Sequence, residues 1–200
     1  MPSIEEPQQI HSVSVRSLVK FTLQEGDITP GSFQKPGRAQ AGTQGHKKVQ
    51  RSRPESYQSE VEVALRVAGE ELPLEIRGRI DGLDATQTPV LIEEIKTTTL
   101  RLDLVKEDHN LLHWAQAKCY AYIFARQENL SEICIHLTYY QLDSQTEKTF
   151  ERIFTLTDLG VFFNALITPY LAWFRKVRER HLQRDQSIQE LDFPYGDYRS

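Results

Sequence analysis

The sequence predicts an α/β fold with a mixed central sheet and the element order α-β-β-β-α-β-β-α. Three observations carry that expectation. Three consecutive runs between residues 60 and 97 are strand-like, the first two repeating apolar residues every second position and the third nearly continuous, and residues 111–123 then switch to helical spacing. Two more period-two runs follow before a long helical stretch, and no internal repeat interrupts the order. A chain of 200 residues suits one domain with one core.

Residues 1–13 read as a flexible leader. Ser14 is placed to cap a first helix in which Val15, Leu18, Val19 and Leu23 share a face, ending at Gly26. Residues 26–45 hold five of the ten glycines together with Pro30 and Pro36, a composition of turns, and read as a mobile loop beside the site. A short helix over 43–51 ends before Pro54. Val61, Val63, Leu65 and Val67 alternate with polar residues as a first strand. A second runs from Pro73 to Leu83, with Leu74, Ile76 and Ile80 on one parity and Glu75, Arg77, Arg79 and Asp81 on the other. After a turn at Asp84–Pro89, Val90–Thr97 completes an antiparallel meander.

Asp108 is read as the cap of the central helix, which reaches Gln127 and carries Leu111, Leu112, Ala115, Cys119, Tyr122 and Ile123 at helical spacing. Ile133, Ile135, Leu137 and Tyr139 then alternate as a strand. A polar turn at Asp143–Glu147 leads into a strand at Phe150–Leu156, and Thr157 caps a last helix to Arg184 that Pro169 should kink or divide. Residues 14–190 thus read as a single domain and 191–200 as a linker.

Composition removes several classes of function. With 39% hydrophobic and 26% charged residues the chain has material for both a core and a soluble surface, which excludes wholesale disorder. No apolar run approaches the roughly 20 residues of a membrane helix, and the acidic start lacks signal-peptide character. A soluble, cytoplasmic protein is expected, nucleoid-associated if bacterial. Cys119 and Cys134 are the only cysteines, which excludes a disulfide framework, an iron–sulfur cluster and a four-thiolate zinc site. The net charge of -4 argues against coating nucleic acid by bulk charge. Its distribution is uneven, however. Residues 28–54 contain no acid but carry Lys35, Arg38, Lys47, Lys48, Arg51 and Arg53, a local stretch suited to phosphates. A second basic cluster, from Arg175 to Arg184, is diluted by acids and reads as a solvated helix face.

In the third strand Glu94 and Lys96 are two residues apart and share one face, while Glu93 and Ile95 take the other. A hairpin centred near residue 87 or 88 sets Asp81 opposite Glu93 or Glu94, and only the Glu94 register brings Asp81 beside Lys96. Two carboxylates held so close repel unless one is protonated or a cation bridges them. A hard divalent ion is the economical answer, because it binds carboxylate oxygens and promotes attack of water on a phosphoryl group.

These residues resemble a known family. Gly78-Arg79-Ile80-Asp81-Gly82, then Leu91-Ile92-Glu93-Glu94-Ile95-Lys96-Thr97, then Gln116 to Tyr120 as Q-x-x-x-Y, look like the motifs of RecB-type nucleases in the PD-(D/E)XK superfamily, whose core is restriction-endonuclease-like. Gly42-Thr43-Gln44-Gly45-His46 is similar to the glycine-preceded histidine of that branch. The resemblance implies that His46, Asp81 and Glu94 bind Mg²⁺ or Mn²⁺, with the Ile95 carbonyl as a backbone ligand. It implies that Lys96 orients or deprotonates the attacking water, and that Gln116 and Tyr120 sit beside the metal and the substrate backbone. The chain resembles the members without iron–sulfur cysteines, and it carries Glu94 where many relatives have aspartate.

Phe193-Pro194-Tyr195-Gly196-Asp197-Tyr198-Arg199 resembles the F-P-Y-x-x-Y-R segment preceding the nucleotide-binding core of XPD/DinG-type helicases, yet no phosphate-binding G-x-x-x-x-G-K-[ST] loop is present. The expected function is therefore a metal-dependent DNA nuclease, exo- or endonucleolytic, that forms the N-terminal module of a helicase in DNA repair or recombination. The rival reading is an accessory module that binds nucleic acid or protein without cutting. RNA is a third substrate class, since no residue here is expected to read a 2′-hydroxyl.

Overall fold

A computed structural model describes residues 11–23, 37–67 and 74–190. The elements are β1 (His11–Ser14), α1 (Val15–Leu23), α2 (Arg38–Arg51), β2 (Gln58–Val67), β3 (Leu74–Asp84), β4 (Leu91–Thr98), α3 (Leu111–Gln127), β5 (Glu132–Gln141), β6 (Glu147–Thr155) and α4 (Leu156–Glu190). The expected α/β fold is present, with a mixed six-stranded sheet as its centre. Five differences from the sequence reading have local causes.

His11–Ser14, assigned to the leader, forms a strand parallel to β3, and four residues with one buried apolar position, Val13, leave too short a pattern to read. The helix expected over 43–51 starts earlier, so that residues 38–42 of the expected mobile loop belong to α2; residues 26–36 of that loop, residues 1–10 and the linker 191–200 lie outside the described residues. Asn110 caps α3 instead of Asp108, its side chain accepting the Leu112 N–H at 3.0 Å. Thr155 caps α4 instead of Thr157, accepting the Asp158 N–H at 3.1 Å.

Pro169 does not divide α4, which runs unbroken over 35 residues. A proline leaves a carbonyl one turn earlier without its usual donor. Here Thr168 Oγ1 donates to the Asn164 carbonyl at 2.7 Å, and Thr22 Oγ1 of α1 donates to that of Leu166 at 2.9 Å. The carbonyl that Pro169 deprives of its donor is that of Ala165, and these two bonds hold the carbonyls on either side of it. Among the described residues no helix is long and apolar enough to cross a membrane.

Strand order decides where the site can form. β2 pairs with β3 along nearly its whole length, so the other edge of β3 is shared by two partners: β1 against Leu74–Arg77 and β4 against Gly82–Asp84. Between them, residues Gly78, Arg79, Ile80 and Asp81 face a gap in the sheet. The strand also changes parity there, since Leu74 and Ile76 before the gap, Ile80 within it and Leu83 after it all enter the same core. Glu60, which the β2 register sets level with Asp81, has φ 61°, a left-handed conformation that marks the same kink. Beyond the fork β4 turns to β5, a parallel partner, and β5 pairs antiparallel with the edge strand β6. The Asp84–Pro89 turn is held by the Asp84 carboxylate, which accepts from the Thr86 N–H and hydroxyl, Ser56 and Gln87. The Thr86 hydrogen bonds keep its carboxyl below the usual range.

Helices α1, α3 and α4 cover one face with the main core, whereas α2 lies on the other, where Val49 packs with Ile95 and Tyr140. Three glycines permit the close approaches. A Cβ on Gly45 would lie 2.5 Å from Thr97 Cγ2, so only glycine lets α2 press onto β4 and bring His46 to the fork. The rings of Tyr120 and Tyr57 occupy the space that a side chain on Gly78 and Gly82 would need. Core contacts of α4 end near Phe174, and the described residues after it are largely exposed, Leu182 and Ile188 among them.

Gly78→Ala is expected to destabilise the chain by about 1–3 kcal/mol through this overpacking, whereas Gly160→Ala in α4, whose Cβ would meet nothing closer than 3.4 Å, gains about 0.5–1 kcal/mol of helix propensity. Urea unfolding of the two variants measures both.

Candidate active site

Where β3 and β4 part, a backbone donor loses its ladder partner. The β3–β4 register, Gly82 against Glu93 and Asp84 against Leu91, continues to Asp81 level with Glu94. Asp81 does not extend the ladder; its Oδ2 accepts the Ile95 N–H at 2.8 Å. That bond aims the carboxylate across the fork and leaves Oδ1 3.5 Å from His46 Nδ1 on α2. Gln50, one turn further along α2, donates from Nε2 to the Asp81 carbonyl and to Glu60 Oε1, both at 2.9 Å, and so fixes the kink from behind.

From the α3 side, Lys96 Nζ donates to Glu94 Oε1 and, at 3.2 Å, to Gln116 Oε1. Gln116 Nε2 in turn donates to the Tyr120 hydroxyl at 3.2 Å. The i, i+4 spacing on α3 puts these two side chains on one face, and Tyr120 packs over Gly78. Burial and the neighbouring Glu94 push the Tyr120 phenol above its usual pKa. His113, a turn before Gln116, bonds the Tyr139 hydroxyl at 2.9 Å and is driven down to about 3, chiefly by burial and then by the charge of Lys96.

Glu94 is the electrostatic anomaly. It is 1% exposed, and its Oε2 has no hydrogen-bond partner. Burial, with a smaller contribution from Asp81, pushes its carboxyl up to about 7 against the opposing pull of Lys96 and His46. An ionised carboxylate oxygen buried without a donor costs several kcal/mol unless a cation meets it. The residues present therefore fit a divalent ion: an orphaned oxygen, a second carboxylate and an imidazole face one opening, and the set is dominated by hard oxygen donors.

His46, Asp81, Glu94, Lys96, Gln116 and Tyr120 all line one cavity of about 860 Å³. A second hollow of about 590 Å³ shares His46, Asp81 and Lys96 with it and adds Lys47. The other basic residues of the 35–53 stretch do not gather there. Lys48 bonds Gln145 Oε1 at 2.9 Å and Arg51 is exposed; Lys35 and the Arg38 side chain lie outside the described residues. Arg53 is a correction. Its guanidinium grips both oxygens of Glu93, at 3.0 and 2.6 Å, and also Glu147, so it serves as a half-buried counter-ion and not as a phosphate ligand. Sequence reasoning missed Arg16, which lines both hollows from α1 and carries no signal in its surroundings. It also passed over Arg77 and Arg79 as lining residues, although they share the polar parity of Asp81.

The sequence matches the family described as PD-(D/E)XK nuclease superfamily over residues 18–197. The chain belongs to the PD-(D/E)XK nuclease superfamily. Among solved structures, this PD-(D/E)XK chain is similar to SSO0001, with 17% identity, TM-score 0.49, and coverage of 82% of this chain and 79% of that one. It is also similar to Rai1 of Scheffersomyces stipitis, with 12% identity, TM-score 0.27, and coverage of 61% of this chain and 33% of that one. A second Rai1 structure, in complex with (3'-NADP)+ and calcium ion, shows 15% identity, TM-score 0.26, and coverage of 60% and 31%. No curated protein matches the sequence.

Because the folded carboxyl of Glu94 holds its proton to about pH 7 and the unfolded one only to the ordinary glutamate range, the native state binds the extra proton in that window. This contribution to stability is present at low pH and is lost as pH rises toward 7. In urea unfolding with a chelator, Glu94→Gln is expected to gain on the wild type by up to about 3 kcal/mol between pH 5 and 8. Removing the counter-ion of Glu93 acts oppositely: Arg53→Ala is expected to cost about 3 kcal/mol at neutral pH.

Proposed function

We propose that this PD-(D/E)XK protein is a divalent-metal-dependent DNA nuclease of the RecB-like branch. The observation that carries the reading is the orphaned Glu94 Oε2 in a fork shared with Asp81 and Lys96. His46 beside Asp81 and the Gln116–Tyr120 pair beside Lys96 support the branch assignment. His46, Asp81 and Glu94 would hold Mg²⁺ or Mn²⁺, with the Ile95 carbonyl as a backbone ligand. When bound, such an ion supplies positive charge against the phosphoryl oxygens and makes water a better nucleophile.

The side chains of the protein do the positioning. Lys96, fixed by Glu94 on one side and Gln116 on the other, has a third ammonium donor for the attacking water. It orients that water and offers charge as the phosphorus–oxygen bond to the leaving group breaks. Tyr120 sets the rotamer of Gln116 and hence the direction of Lys96. Lys47 and Arg16 lie where the flanking phosphates of a strand would pass. Residues 14–190, together with the β1 residues before them, act as the nuclease module. The 193–199 motif supports a continuation, through the linker 191–200, into an XPD/DinG-type helicase working in repair or recombination.

The test is hydrolysis of single- and double-stranded DNA with Mg²⁺ or Mn²⁺, beside matched RNA. Asp81→Asn, Glu94→Gln and Lys96→Ala are each expected to lower kcat by about 100-fold or more with native circular dichroism. Lys47→Ala is expected to raise KM several-fold while leaving kcat nearly unchanged. Undiminished cutting by the Asp81 or Lys96 variants refutes the site. Absence of hydrolysis with either ion, together with salt-sensitive DNA binding, identifies a non-cutting module instead.

A further inference from the structure

The sheet face opposite Gln116 and Tyr120 holds a second convergence of ligand side chains. Glu93 points to that face, and in the parallel β4–β5 register its partner is His136. Cys134 lies two residues before His136 on β5 and shares its face. The antiparallel β5–β6 register places Glu151 directly across from His136. Ligand atoms of Cys134, His136 and Glu151 lie within 4.8 Å of one another, and His136 Nε2 is 2.7 Å from Glu151 Oε2. They line a cavity of about 600 Å³ whose charged lining residues are Arg53, Asp84, Glu147 and Glu151. Arg53, the single cation among these four, is already matched by Glu93 and Glu147, so the hollow favours a positive guest.

We propose that Cys134, His136 and Glu151 form a metal site separate from the fork, suited to Zn²⁺. A thiolate and an imidazole select a borderline-soft ion over Mg²⁺ or Mn²⁺, and three protein ligands leave the fourth tetrahedral position for water from the cavity. Bond lengths of 2.0–2.3 Å require ligand atoms roughly 3.5 Å apart in a tetrahedron. The Glu151 side chain is 63% exposed, so its carboxylate can move toward that spacing without repacking the core. Binding releases the Cys134 thiol proton to solvent and fastens β6, the edge strand, to β5 behind the Glu93 network.

The experiment is titration of the whole chain with Co²⁺ alone, as a coloured stand-in for Zn²⁺, followed by competition. The expected result is a thiolate-to-cobalt charge-transfer band saturating at one equivalent, displaced by Zn²⁺ but not by excess Mg²⁺. Thermal unfolding should also rise with Zn²⁺. Cys134→Ser is expected to erase the band, and Cys119→Ala, at a cysteine with 0% exposure, to keep it. His136→Gln and Glu151→Gln should each weaken Zn²⁺ at least tenfold. A band that survives Cys134→Ser, its absence at stoichiometric Co²⁺, displacement by Mg²⁺, or unchanged Zn²⁺ affinity in both other variants overturns the site. None of these readouts depends on DNA cutting.

Discussion

The constraint on which the molecule depends is the opening of the sheet between β3 and β4. One edge of β3 serves β1 at one end and β4 at the other, and four residues between them face no strand. Backbone donors beside such an opening must find partners elsewhere. The Ile95 N–H finds the Asp81 carboxylate, and this single bond converts a break in the ladder into an oriented acid. Because the sheet is interrupted there, side chains from both helical layers reach the same point: His46 from α2 and Gln116 with Tyr120 from α3.

Two adjacent glutamates show how environment sets the role of a residue. Glu93 and Glu94 are each 1% exposed and project to opposite faces of β4. Burial pushes the Glu93 carboxyl up, but hydrogen bonds from Arg53, Thr138 and Tyr57 outweigh it and hold the group below the usual range. Its charge is fully compensated, and it ties the α2–β2 connection to the sheet. Glu94 has Lys96 on one oxygen only, and burial leaves it far more reluctant to ionise. The first arrangement builds structure, while the second stores an unmet demand for positive charge.

Much of this was legible in the sequence because it rests on periodicity and local spacing. The alternation over 61–97 located the meander, and the hairpin centre narrowed the partner of Asp81 to Glu93 or Glu94, between which the β3–β4 register chooses Glu94. The i, i+4 spacing on the central helix paired Gln116 with Tyr120. What escaped rests on long-range contacts. β1 is recognisable only by its pairing with Leu74–Arg77. The glycines of 37–45 looked like loop material, yet Gly42 and Gly45 sit inside α2 because that helix is pressed against Thr97. Arg53 looked like part of a basic surface until the fold set Glu93 beside it across 40 residues of chain. A charge in a sequence has a sign but no partner, and partnership decides whether it meets solvent, substrate or another side chain.

α4 leaves the core behind near Phe174 and continues to Glu190. Up to that point, burial of Leu159, Phe163, Leu166, Ile167 and Tyr170 couples its helicity to the whole molecule. Past it, the coil must be kept wound by hydrogen bonds that water can reach and by side chains of its own surface, a regime in which isolated helices of this length are marginal. The polypeptide thus carries two melting regimes: a cooperative body around the fork, and a distal rod whose turns open without disturbing the body.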